Sequence, residues 1–250
     1  MSRTETYTAL VLKTQNSGES NREAWFLTEE AGLLRATVFG GPKSKLRSHV
    51  SPHNSGRLWI YRDPVRNSRK VSDFDVRSWR PGIRELWERI MAASAIAETI
   101  LSSQGGGGNW AEAFPSACQS LDALDGSGEE LSGRIFIHFL WNWLEVLGLR
   151  PDLEHCVSCA CEPGKDRVLW YDSIEGGVLC ADCVRGREEG SLLRLGLGAG
   201  KWLSAVAGIA PSELKRYSLD TASRAEAKYL VTALMSHALG RGFSSWENVS

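Results

Sequence analysis

The sequence has no apolar run long enough to cross a bilayer, which takes roughly 20 residues. Its longest such stretch, Ile135 to Leu147, is shorter and is interrupted by His138, Asn142 and Glu145. Nor does the opening MSRTETYTAL hold the apolar run of roughly 7–15 residues that a secretory leader needs. A cytoplasmic protein without a membrane segment is therefore expected. The signatures of common enzymes are missing too: there is no HExxH helix, no GxSxG elbow, no GxGxxG after a strand and no recognisable acidic pair of a two-metal site. The four glycines Gly105 to Gly108 lack both a preceding strand and the Lys-Ser/Thr ending of a phosphate loop, so they read as a helix end and a flexible connector. The expectation is a protein that is not an enzyme.

What is present is a foldable, globular composition. Hydrophobic residues make up 42% of the 250 and charged residues 24%, and ten Trp supply large surfaces for packing, which together exclude extended disorder. The net charge of −1 hides an asymmetry. Residues 1–80 carry 14 basic against 8 acidic side chains, an excess of +6, and residues 81–250 carry the complementary −7. Within the first part the excess falls at 41–70, where Lys43, Lys45, Arg47, Arg57, Arg62, Arg66, Arg69 and Lys70 meet only Asp63. Such a density suits phosphates, and equally a solvated basic face.

From Thr6 to Trp79 the chain reads as five short β-rich runs: TYTALVLKT, EAWFLTE, LLRATVF, RLWIYR and VSDFDVRSW. In the third, Leu34, Ala36 and Val38 alternate with Arg35, Thr37 and Phe39, as in a strand with one buried face. Five strands of this length suit a small closed barrel, either an OB-fold or an SH3-like barrel. The connection from Gly40 to Gly56 reads as a long polar loop. Pro81-Gly82 then punctuates the chain and helix formers take over, so the expected domains are 1–80 and 82–250. Helices are expected over residues 83–103, over the apolar segment 130–147, over Leu192 to Ala207 and over Ser223 to Leu239. His138, Trp141 and Trp143 read as core residues.

Two knuckles, Cys156-x2-Cys159 and Cys180-x2-Cys183, stand twenty residues apart. Each presents two thiolates, and the intervening VLWYDSIEGGVL reads as a hairpin that returns the second pair to the first. Zinc is the default ion, held by an element at about 153–185. A redox pair would need one CxxC only, whereas here four sulfurs serve one ion. Cys161, Cys118 and His155 are read as non-ligands. A closed four-thiolate shell leaves no position for substrate, so the metal is expected to be structural.

With these residues in place, three segments resemble the RecO family of DNA annealing and recombination mediator proteins. The first runs from TALVLKTQNSGES through LTEEAGLL and KSKLR to RLWIYR. The second is HFLWNWLEVLGLRPDLEHCVSC and the third WYDSIEGGVLCADC. Their order and spacing agree with the family along nearly the whole chain. The resemblance implies an α+β protein with an N-terminal five-stranded OB-fold barrel and a C-terminal helical domain carrying a zinc element. It also implies binding of single- and double-stranded DNA, annealing of complementary strands, and help in loading RecA onto coated strands. The implied partners are RecR and the C-terminal tail of single-stranded DNA-binding protein.

On this reading Lys43, Lys45 and Arg47, joined by Arg57, Arg62, Arg66, Arg69 and Lys70, neutralise phosphates and leave bases free to pair. Trp59, Tyr61 and Phe39 are candidates for stacking bases. The rival reading is a zinc-containing protein adaptor without annealing activity.

Overall fold

The computed structural model describes residues 4–41, 44–163, 168–187 and 189–249. Five strands form a closed barrel: β1 (Thr4–Ser17), β2 (Asn21–Thr28), β3 (Gly32–Val38), β4 (Ser55–Asp63) and β5 (Ser68–Ser78). Their order is β1-β2-β3-β5-β4, with β4 pairing back onto β1, and β3 meets β5 in parallel at Thr37 and Lys70. This is the OB-fold, which decides the alternative that the strand pattern left open.

Side-chain alternation explains the closure. Ala9, Val11, Ala24, Phe26, Leu34, Ala36, Leu58, Ile60 and Phe74 point inward and fill the barrel. Leu10, Leu12 and Leu27 point outward, yet they are buried as well, because the helices cover that side. The run Ala-Leu-Val-Leu at the centre of β1 is therefore apolar without alternation: both of its faces are interior.

Between β3 and β4, the segment expected to be a polar loop holds a short helix, α1 (Lys45–His49). Leu46 and Val50, one turn apart, pack against the barrel core, and His49 Nδ1 lies 3.0 Å from the Phe74 carbonyl. Two apolar residues among basic and hydroxyl neighbours gave too weak a periodic signal to announce it.

The C-terminal part is built from α2 (Trp87–Ser102), α3 (Trp110–Asp125), α4 (Glu129–Val146), α5 (Leu197–Val206), α6 (Thr221–Leu239) and α7 (Ser244–Glu247). α4 is central and almost wholly buried, with Trp141 and Trp143 in the core as expected. α3 lies where the sequence suggested no element; its Pro115 and scattered serines mask a face formed by Ala113, Ala117, Leu121 and Leu124. The four glycines end α2, but as a packed turn in the left-handed region, where a Cβ on Gly106 would approach that of Ala113 to 2.9 Å. A small sheet in the order β7-β6-β8 comprises β6 (Leu169–Asp172), β7 (Gly177–Leu179) and β8 (Leu192–Leu195). The expected hairpin is β6–β7. The expected helix from Leu192 is corrected: Leu192–Leu195 pairs with β6, and α5 begins only after Gly196. Among the described residues no helix is long and apolar enough to cross a membrane.

A buried arginine joins barrel to helices. Arg80, 4% exposed and left-handed at φ 46°, stands two residues past the end of β5. Its Nε donates to Asp122 Oδ1 at 2.7 Å, and its Nη1 donates to the His53 carbonyl at 2.6 Å and to Ser55 Oγ at 3.0 Å.

Two histidines are held neutral by burial. His138 Nε2 lies 3.1 Å from the Ile209 carbonyl, and desolvation lowers its pKa to about 4. His53 is lowered to about 4 as well, first by burial and then by the charges of Arg84 and Arg80. In the unfolded chain both titrate near 6.5, so that chain binds more protons between the two values. The stability they contribute is present above pH 6.5 and is lost as the pH falls towards 4. Urea unfolding at successive pH values should show a slope of about 1.4 kcal/mol per pH unit from each histidine in this window. His138→Gln should remove one share.

Candidate nucleic-acid interface and metal centre

The tight turn joining β4 to β5 concentrates positive charge. Arg62 and Arg69 are cross-strand partners, Tyr61 pairs with Lys70, and Arg66 lies in the turn, where its N–H donates to Asp63 Oδ1 at 3.2 Å. Like charges directly opposite each other repel, and an anion bound between them relieves the repulsion. Asp63 is held below the usual carboxylate range, mainly by that N–H of Arg66, so it stays ionised and caps the turn. Lys70 Nζ stands 5.2 Å from the centre of the Phe39 ring, which is half exposed at the end of β3.

A second basic site lies on α1. Lys45 is exposed and Arg47 half-buried. Arg22, at the start of β2, has its pKa lowered by partial burial and by the charge of Arg47. The two guanidiniums therefore sense each other. Lys43 falls outside the described residues.

Arg57 is set apart from the turn cluster. It lies five residues back along β4 from Arg62, about 16 Å at strand rise. Its register neighbours are Thr8 and Asp75, and its guanidinium is 5.6 Å from the Trp59 ring. Folding also brings carboxylates to the basic segment: Glu5 reaches Arg62 at 3.8 Å, and Asp73 pairs with Trp59. The positive density is thus sharper at the β4–β5 turn and α1 than the sequence suggested, and weaker at Arg57.

Sequence reasoning missed a third cluster. On the outer face of β1, β2 and β3, Trp25 has Lys13 Nζ 5.6 Å and the Arg35 guanidinium 5.0 Å from its ring. Lys13 and Arg35 are both register partners of Trp25. Glu23 anchors the group, accepting from Arg35 Nε and Thr37 Oγ1, each at 2.8 Å. In an OB-fold, strands β2 and β3 form the face that takes nucleic-acid strands. The available signal was the outward phase of Glu23, Trp25 and Leu27; the two cations reach Trp25 only through strand pairing.

The four cysteines of the two knuckles converge as expected. Their Sγ atoms all lie within 4.8 Å of one another, and those of Cys159 and Cys180 are 3.8 Å apart. A tetrahedral zinc with bonds of about 2.3 Å holds its sulfurs about 3.8 Å apart, so the donor set fits that ion in number, chemistry and spacing. Backbone amides favour the thiolate form of the two buried cysteines. Those of Cys183 and Asp182 lower the Cys180 thiol to about 6. Burial opposes ionisation of Cys156, but amides led by that of Cys180, 3.4 Å from its Sγ, outweigh it. His155 stands outside the group, with Nδ1 2.6 Å from Asp152 Oδ2. The hairpin docks because Gly177 leaves room for Val157, whose Cβ a methyl there would meet at 2.7 Å.

Comparison with known proteins agrees along the chain. The family described as "Recombination protein O N terminal" matches residues 1–78, and "Recombination protein O C terminal" matches residues 84–247. The chain is 28% identical over 255 residues to DNA repair protein RecO of Nocardioides sp. (strain ATCC BAA-499 / JS614), covering 95% of each. It is 28% identical over 240 residues to the RecO of Myxococcus xanthus (strain DK1622), covering 95% of this chain and 93% of that one. With the RecO of Anaeromyxobacter sp. (strain Fw109-5) it shares 27% over 243 residues, covering 94% and 91%.

Proposed function

This chain belongs to the RecO family of DNA repair proteins, and from that premise we propose that it binds single- and double-stranded DNA and anneals complementary strands. In this reading residues 1–80 are the DNA-binding domain, and residues 82–250 form the helical domain with the zinc element. With RecR, it helps load RecA onto strands coated by single-stranded DNA-binding protein, whose C-terminal tail it engages in the cytoplasm. The observation that carries the reading is the OB-fold barrel with Arg62 set opposite Arg69 at its β4–β5 turn.

Lys43, Lys45 and Arg47, with Arg57, Arg62, Arg66, Arg69 and Lys70, neutralise phosphates. Contacts of this kind leave the Watson–Crick edges of the bases free, and annealing needs that freedom. Trp25, Phe39, Trp59 and Tyr61 offer aromatic surface beside the cations. Zinc, held by Cys156, Cys159, Cys180 and Cys183, serves as a crosslink without chemistry on the DNA.

The test is annealing of two complementary oligonucleotides without ATP, bare or coated with single-stranded DNA-binding protein. Acceleration is expected, with loss of it in the triple alanine variant of Lys43, Lys45 and Arg47. Removing Arg62, Arg66 and Arg69 should reduce the slope of log affinity against log salt by about 0.7–0.9 for each phosphate that is no longer neutralised. An unchanged slope in both variants would overturn the residue assignment. Failure to bind any DNA at low salt would instead favour the protein adaptor.

A further inference from the structure

The β4–β5 hairpin carries an apolar tip. Val65 is 91% exposed, the most exposed of the large apolar side chains described, and Pro64 before it is exposed as well. A lone valine at a surface is ordinary. Its position here is not: Arg62, Arg66, Arg69 and Lys70 all stand within five residues of it along the hairpin. They are opposed by Asp63 in the turn and by Glu5, which reaches Arg62 at 3.8 Å. The tip also stands clear of the barrel. β1 meets Tyr61 with Thr4, and β3 meets Lys70 with Thr37. Outward from there, among the described residues, the two strands pair only with each other, Arg62 with Arg69 and Asp63 with Ser68. The apex is nevertheless set in one shape. Pro64 fixes its own φ, Asp63 Oδ1 accepts from the N–H groups of Val65 and Arg66 at 3.0 and 3.2 Å, and Asn67 closes the turn in the left-handed region at φ 45°.

We propose that Pro64 and Val65 form a wedge that enters the minor groove of duplex DNA, parts two neighbouring base pairs and bends the duplex. The proposal rests on the reading of this turn as a DNA contact. Reading base edges requires donors and acceptors, which the side chains of Pro64 and Val65 lack. Insertion between base pairs requires an apolar point, and proteins that bend DNA from the minor groove use apolar side chains in this way, proline among them. The cations supply the remainder of the contact. Arg62 and Arg69, opposite each other on the two strands just behind the tip, are placed to meet the phosphates that wall the groove. Parted base pairs offer a stacking face, which the wedge covers in place of water. A single strand has no groove to enter, so the wedge acts on duplex, the product of annealing. Because unstacking opposes insertion, the wedge favours sites where stacking is already weak, such as a mismatch or a flexible pyrimidine–purine step.

The experiment adds the full chain at low salt to a duplex of about 30 base pairs, far shorter than the persistence length of DNA, with a donor and an acceptor dye at its two ends. Energy transfer should rise on binding as the ends approach, and a duplex with a central mismatch should bind about tenfold more tightly than its matched counterpart. Val65→Ser, which removes no charge from an exposed turn, should abolish both the rise and the mismatch preference, with the slope of log affinity against log salt as in the wild type. Val65→Leu should retain both. Binding of the matched duplex without a rise in transfer, an equal rise with Val65→Ser, or loss of the rise with Val65→Leu overturns the wedge and leaves the DNA contact standing. A wild-type chain that binds no duplex at low salt overturns the contact and the wedge together.

Discussion

Arg80→Ala should lower the unfolding free energy by about 3–5 kcal/mol, the range for breaking a buried charged network by removing one partner. Domains of this kind possess roughly 5–15 kcal/mol in all, so urea denaturation would show a barely stable protein. The argument comes from burial and geometry. The Arg80 side chain is 3% exposed, whereas that of Asp122 is 56% exposed, so the ion pair itself is half in water. The larger loss arises on the barrel side, where the His53 carbonyl and Ser55 Oγ would be left without their donor, beside a void of the size of the lost side chain. Asp122→Asn, which keeps shape and removes charge at the exposed end, should cost only about 0–1 kcal/mol. Arg80→Lys should recover little, since a single ammonium cannot reach in three directions from one planar fork. If Arg80→Ala unfolds within about 1 kcal/mol of the wild type, the junction is held mainly by packing, that of Leu10, Leu12 and Leu27 included.

Removing the metal should have the other large effect. The purified chain is expected to carry about one zinc, and Cys156→Ser or Cys180→Ser to lose it. The element has a core of its own that is too small to stand: Cys156, Leu179 and Cys180, with Trp170, Val184 and Leu192 at its edge. Structural zinc contributes about 10–16 kcal/mol in isolated fingers, and that free energy is folding free energy. A strong chelator should therefore open the segment around the two knuckles to proteases. The damage should spread, because Leu153, Leu169, Tyr171, Val178 and Leu195 belong to the same core as α4 and α6. A fall in the thermal midpoint of the whole helical part is expected, measured by calorimetry with and without chelator. An unchanged midpoint after complete loss of metal would refute the staple.

The clustering of the four cysteines was legible because its geometry is local. Two residues between cysteines fix each knuckle, and a hairpin with Gly176-Gly177 can only bring its ends together, as the β6–β7 register confirms. α4 was legible for a similar reason: a segment apolar on nearly every face has no place but the core. α1 and α3 were not, because short or proline-bearing segments carry little periodic signal, and their apolar residues matter only against a partner surface. Leu192–Leu195 shows the same limit, since two leucines, an arginine and a leucine suit strand or helix equally until β6 lies alongside.

By itself the sequence determined the five strands, the central helix, the four thiols and the basic excess at 41–70, all properties of residues near one another in the chain. Only the tertiary structure decided which charges act together. Barrel closure sets Arg62 against Arg69 and stacks Lys13 and Arg35 on Trp25, while it places Asp75 opposite Arg57. It also gave Arg80 its partners, residues 25 to 42 positions away in sequence. The reason is physical: charges and hydrogen bonds act over a few ångströms, and the pairing of distant strands and helices, rather than sequence spacing, sets which groups come that close.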